Sequence, residues 1–234
     1  HFICLDEMNL SQVEHYFSDL MMVLEREGDD RRIQCFSQEV AKPYCPFQPW
    51  SSIHLSPALR FVGTVNFDET TRLLSDRFLD RINLVQLHSE ILPSSRMHEG
   101  RFLAKADGRM VTLADFESWM GNDTLPTGLA TLLDEMRPVL QQLGCPVSPR
   151  VYRAICRFVG SCGSLLTPVK AFDFQLAQRV LPRIRTLVTK RQYDALDKLI
   201  KLLSDARDWT FDETIPLLEE IRETSAMRDW IAEE

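Results

Sequence analysis

The chain has 234 residues, 27 basic and 34 acidic side chains, a net charge of −7 and 44% hydrophobic residues. This ordinary composition suits one large domain or two small ones and excludes collagen-like, low-complexity and disordered classes. The acidic balance excludes a wholly basic nucleic-acid coat, and no run approaches the roughly 18–20 apolar residues of a membrane helix.

The chain opens on His1-Phe2-Ile3-Cys4-Leu5, a short apolar run rich in strand formers, followed at once by Asp6-Glu7-Met8-Asn9. A buried strand that ends in two carboxylates reads as the C-terminal edge of a parallel sheet, where α/β proteins place ligands. The same carboxylates interrupt the apolar run, so no signal peptide is expected there. Ser11 and Glu14 have capping-box spacing, and Val13, Tyr16, Phe17, Leu20 and Leu24 follow as one helical stripe ending at Gly28-Asp29-Asp30. Residues 29–58 hold four prolines and read as a loop or hairpin insertion. Leu59 to Asn66 predicts a second strand, Glu69 to about Asp80 a short helix, and Ile82 to Leu87 a third strand.

After Leu92 the pattern changes. A polar linker is expected over 93–110, and helices are predicted at 113–120, 127–143, 149–161, 169–187, 190–206 and 212–230. The expected organisation is an α/β part over 1–92, the linker, and a helical part over 111–234. The six cysteines form no CxxC pair or zinc spacing, and the five histidines no HExxH, which predicts reduced thiols and a cytoplasmic protein.

Three segments carry chemistry. Asp6-Glu7 at a strand end suits magnesium-nucleotide hydrolysis, with one carboxylate holding the metal through its water shell and the other polarising the attacking water. It also reads as a solvated strand end. Gly63-Thr64-Val65-Asn66 places an amide at a second strand end, where it can orient the lytic water or simply cap a helix. Asp76-Arg77-Phe78-Leu79-Asp80-Arg81 places arginines before the third predicted strand, as an arginine finger or as a surface salt-bridge face.

In this order and spacing the three segments resemble the second half of an AAA+ nucleotide-binding module, of the dynein-related, McrB-like branch. Asp6-Glu7-Met8-Asn9 resembles its Walker B, D-E-(I/M)-N, and Gly63-Thr64-Val65-Asn66 its sensor 1, G-T-(M/V)-N. Asp76 and Arg81 stand where that branch has an Asp and a terminal arginine, while Asp80 replaces the second arginine of some McrB proteins. Val147-Ser148-Pro149-Arg150 resembles sensor 2 of the related MoxR group, and Gln178 to Ile184 resembles the Q-x-(I/V)-L-P-(K/R)-I segment near the end of McrB-like modules. The resemblance covers residues 1–93 and 145–186.

It implies an α/β P-loop NTPase fold, a partial parallel sheet followed by an all-helical lid. It implies catalytic roles for Asp6, Glu7, Asn66 and Arg81, nucleotide contacts from Asp6, Asn66 and Arg150, and Mg on Asp6 mainly through water. The nucleotide is ATP or GTP. The partners implied are further copies in a ring, a hexamer in such motors, with a nuclease subunit and DNA in restriction and phage defence, and no membrane. Walker A is absent, for no Gly-Lys pair exists in the chain. The chain is therefore expected to be the C-terminal piece of a larger protein whose missing half binds most of the nucleotide. The alternative is a non-catalytic helical interaction module on a degenerate scaffold. Residues 168–201 hold eight basic side chains against three acidic ones, which reads as a face for nucleic acid or an acidic partner, or as a solvated helix face.

Overall fold

The computed structural model describes residues 1–26, 28–35, 52–66, 74–86, 112–121, 123–163, 165–184, 187–206 and 209–232. The chain divides into two units, His1–Phe78 and Leu79–Glu234.

In the first unit, β1 (Phe2–Leu5) pairs in parallel with β4 (Arg60–Gly63), from Phe2 opposite Arg60 to Leu5 opposite Gly63. A separate antiparallel pair, β2 (Arg32–Gln34) with β3 (Ser52–His54), falls within the expected insertion. Helix α1 (Val13–Leu24) buries Val13, Phe17, Met21 and Val23. Phe17 stands edge-on to Phe61 at 5.6 Å and to Phe78 at 6.5 Å, so aromatic packing joins α1 to β4 and to the end of the unit. The expected Ser11–Glu14 capping box does not form. Gln12 is the N-cap, without a side-chain cap, and Glu14 instead accepts from the Ser75 backbone N–H at 3.3 Å. Burial by itself would raise the Glu14 carboxyl, but the hydrogen bonds from Ser75 hold it below its ordinary value.

The expected partial parallel sheet of a P-loop module is overturned. The described chain is mostly helical, and its strands form only two sheets of two strands each. The apolar run of β1 resembles a central strand buried on both faces. Here Phe2 is 79% exposed and Val62 50%, so the β1–β4 pair has no such cover. The third strand, predicted for 82–87, is absent over 82–86, and residue 87 lies outside the described residues. Its backbone is claimed by a helix end instead. Pro182 has no N–H for the Gln178 carbonyl four residues earlier, and the Leu84 N–H donates to that carbonyl at 2.9 Å. Of the helix predicted from Glu69, only α2 (Asp76–Leu79) is described as helical, and residues 67–73 lie outside the described residues.

The second unit is helical in its described residues. Helix α3 (Leu113–Ser118) starts at Thr112, which exchanges capping bonds with Asp115. Helix α4 (Thr127–Gln142) buries Leu129, Leu132, Leu133, Met136, Val139 and Leu140 along one stripe. It ends at Gly144, whose φ of 80° suits glycine, and the Cys145 N–H closes the turn on the Leu140 carbonyl at 3.0 Å. Helix α5 (Pro149–Ser161) begins at Ser148, whose hydroxyl accepts from the Val151 N–H, with Pro149 in the first position. Helix α6 (Pro168–Gln175) begins the same way on Thr167 and Pro168, then widens into a π turn over Leu176–Val180 and a 3-10 turn over Leu181–Arg183. Helix α7 (Lys190–Ser204) carries a full capping box from Thr189 and Gln192.

Helix α8 (Thr214–Ala232) is capped by a residue distant in sequence. The fully buried carboxylate of Asp173, on α6, accepts from the Glu213 N–H at 3.0 Å and the Thr214 N–H at 2.9 Å. The positive end of the helix thus balances a buried charge. Lys170 adds contacts of 3.0 Å to Glu213 and 3.8 Å to Asp173. Burial lowers the Lys170 ammonium, but Glu213, Asp173 and Asp212 outweigh it and hold the ammonium above its ordinary value. Phe172, Leu176, Leu196, Leu199 and Leu218 fill the core between these helices.

Candidate functional site

Parallel pairing of β1 and β4 puts the residues that follow each strand at the same end of the pair. Backbone bonds continue past the strands, with the Thr64 N–H donating to Leu5 O and the Met8 N–H to Thr64 O, both at 2.9 Å. Two side chains then cross-link the ends. The Thr64 hydroxyl donates to Asp6 Oδ1 and accepts from the Glu7 N–H at 2.8 Å. The Asn9 amide, 1% exposed, donates from Nδ2 to the Asn66 carbonyl at 2.7 Å and accepts at Oδ1 from the Asn66 N–H at 3.2 Å. A buried amide is expensive unless bonded, and this one spends its polar atoms on the Asn66 backbone.

Glu7 has φ 50° and ψ 47°, the one left-handed non-glycine residue described. That conformation costs a residue with Cβ about 1–2 kcal/mol. The Thr64 hydroxyl on its N–H and the Leu10 N–H on its carbonyl at 3.2 Å hold it there. Behind this turn Met8 packs on Gly63. A Cβ at Gly63 would lie 1.9 Å from Met8 Sδ, so any larger residue there displaces the Met8 side chain. The Tyr16 hydroxyl donates to Met8 O at 2.7 Å and ties the turn to α1.

Asp6, Glu7 and Asn66 are all exposed in the first unit. Arg81 and Arg150 belong to the second. Arg81 is half-buried next to Asp80, whose carboxylate lies 3.0 Å from Arg183 Nη1 and whose carbonyl accepts from Arg179 Nη1 at 3.3 Å. Burial lowers the Arg179 guanidinium, only partly offset by Asp80. Arg150 is exposed in the first turn of α5. A cleft of about 230 Å³ opens beside it, lined by Arg137, Val147, Pro149, Tyr152 and Arg153, with the Arg137 guanidinium 5.2 Å above the Tyr152 ring.

The basic stretch over 168–201 does not form one face. Lys170 is engaged by acids, Arg179 and Arg183 are buried, and Arg185 lies outside the described residues.

Among the described residues no group of three His, Cys, Asp or Glu side chains is placed to hold a metal ion unaided. The Asp6 carboxylate is a hard oxygen donor on an exposed edge, with Oδ1 already bonded by the Thr64 hydroxyl. That donor fits Mg, which keeps several waters and takes one or two carboxylates together with substrate phosphates. Asn9 and Thr64 lay inside the sequence motifs without a role. The available signal was a hydrogen-bonding side chain just past each apolar run. Asp173 gave none, because its partners lie forty residues away.

The second unit thus defines a class, a helical domain with polar side chains bracing its helix ends. Residues 97–228 match the model of a domain of unknown function, DUF8727, and the chain belongs to that family. No curated protein and no solved structure matches the chain. The matched span includes Arg150 and leaves Asp6, Glu7, Asn66 and Arg81 outside it.

Proposed function

We propose that the chain supplies the hydrolytic residues of an oligomeric nucleoside triphosphatase that couples NTP hydrolysis to remodelling or translocation. The pattern of Asp6-Glu7-Met8-Asn9 and Gly63-Thr64-Val65-Asn66 resembles that of the McrB-like motor of DNA restriction and phage defence. One observation carries the reading: parallel pairing brings Asp6, Glu7, Thr64 and Asn66, sixty residues apart in sequence, to one exposed strand end. The reading concerns this cluster and not the sheet of a P-loop module.

Asp6 would hold Mg, which would supply neutralisation of the phosphate charge. Glu7 accepts the proton of the attacking water, and Asn66 orients the same water. Arg81 acts on the nucleotide of a neighbouring copy, and Arg150 touches its own nucleotide. The chain has no Gly-Lys pair, so this reading requires a phosphate-holding loop supplied by a partner segment. ATP or GTP is the substrate, a hexameric ring the assembly, a nuclease subunit and DNA the further partners, and the cytoplasm the compartment. Among the described residues no helix is long and apolar enough to cross a membrane.

A second reading has its own support. The family match lies on the helical part, which is braced internally by Asp173 and its partners. A non-catalytic helical interaction module would need nothing from the strand ends.

One variant separates the two. In the protein that carries this chain, Glu7→Gln is expected to leave Mg-nucleotide binding intact and lower turnover by about 10²–10⁴-fold. Wild-type turnover in Glu7→Gln overturns the hydrolytic reading and favours the interaction module.

A further inference from the structure

We propose that Thr64 is the positioning residue of this site, and that its hydroxyl sets both the oxygen Asp6 offers to a cation and the direction of the Glu7 side chain. The inference rests on the hydrolytic reading of Asp6 and Glu7. Thr64 stands just past β4, and its own backbone bonds to Leu5 and Met8 fix where its side chain begins. From there one hydroxyl serves two residues. Its proton goes to Asp6 Oδ1, and its lone pair takes the Glu7 N–H at 2.8 Å.

The first bond ties one oxygen of an exposed carboxylate to the protein. Oδ2 is then the atom offered to a hydrated cation, and the carboxylate loses the freedom to rotate. The second bond anchors the amide of a residue held in the left-handed region. An extended or right-handed Glu7 would send its side chain in another direction, because Cβ follows φ and ψ. Without the hydroxyl, Glu7 has a strained backbone and one fewer bond to hold it. Partners behind a metal or catalytic ligand commonly change affinity or activity by about 10–100-fold when removed.

Thr64→Val replaces the hydroxyl with a methyl of nearly the same shape and leaves the backbone bonds in place. Thr64→Ser keeps the hydroxyl, and Thr64→Ala loses both groups. Two readouts are taken on the protein that carries this chain. One is turnover at saturating nucleotide, with the nucleotide KM. The other is binding of Mn²⁺ in place of Mg, read by electron paramagnetic resonance with a non-hydrolysable nucleotide analogue.

Thr64→Val and Thr64→Ala are expected to lower kcat and weaken Mn²⁺ binding, each by about 10–100-fold, with the nucleotide KM little changed. Thr64→Ser is expected to restore both. Wild-type values in Thr64→Val, with Glu7→Gln inactive, overturn the role of Thr64 and leave the hydrolytic reading standing. A deficit in Thr64→Ala that Thr64→Val does not share assigns the effect to the methyl and likewise overturns it. Wild-type turnover in Glu7→Gln removes the underlying reading, whatever Thr64 does.

Discussion

Replacing Asp173 by alanine removes the acceptor that starts α8. Asp173 and Thr214 are both fully buried, which keeps water from the Thr214 donor, while Glu213 is only partly buried. Two backbone donors, the N–H groups of Glu213 and Thr214, lose bonds of 3.0 and 2.9 Å to a charged acceptor. A buried donor left without a partner costs about 1–3 kcal/mol. Lys170 also loses a contact at 3.8 Å, but it keeps Glu213 at 3.0 Å, and this half-exposed part adds little. The expected loss is therefore about 2–6 kcal/mol, a large share of the roughly 5–15 kcal/mol that holds a domain folded. Urea unfolding followed by circular dichroism gives the number from the shift in midpoint at constant slope. Asp173→Asn keeps one acceptor oxygen and is expected to lose less than the alanine variant. Asp212→Asn, an exposed control, is expected to change stability by less than about 0.5 kcal/mol. A loss under about 1 kcal/mol in Asp173→Ala would refute the argument that this carboxylate caps the helix.

Three further outcomes are expected. Gly63→Ala forces Met8 from its place and is expected to lose about 1–3 kcal/mol, with part returned when Met8→Ala is added in a double-mutant cycle. Pro182→Ala supplies an N–H that competes for the Gln178 carbonyl, so amide exchange at Leu84 is expected to speed up. Unchanged exchange there would mean that the proline does not free that carbonyl. Burial above all pushes the Cys145 thiol from an ordinary 9.0 up to about 12, with Arg183 opposing weakly. The folded state then favours the neutral thiol, so this contribution is complete below pH 9.0 and is lost as pH rises towards about 12. Cys145→Ala is expected to flatten that alkaline decline, and in the native protein a thiol reagent should label exposed Cys4 and Cys35 well before Cys145.

The helices were legible because their signals are local. Ser148-Pro149 starts α5 as such a pair should, and the ranges expected at 127–143 and 190–206 agree closely with α4 and α7. The strands were not. Ile82 to Leu87 has strand composition, yet composition cannot report that a proline a hundred residues later frees a carbonyl for Leu84. The capping box at Ser11 failed for a similar reason, since Glu14 found Ser75 instead. In the candidate site, the positions of Asp6, Glu7 and Asn66 after apolar runs could be read directly. The bonds that join those runs depend on which strand lies beside which, a matter of tertiary pairing.

The π turn over Leu176–Val180 has a geometric consequence for the helix that contains it. Each residue of an α-helix advances about 100° around the axis, so one additional residue per turn rotates everything downstream by that angle. The turn therefore acts as a phase corrector between two apolar faces. Ala171 and Phe172 before it, and Leu181 and Ile184 after it, reach the same core despite belonging to different helical registers. Deleting one residue within 176–180 would yield a more regular helix and a worse fit. The backbone would regain its ordinary ladder while Leu181, Arg183 and Ile184 swung away from their present neighbours. Length here is an interior specification, fixed as tightly as any side chain.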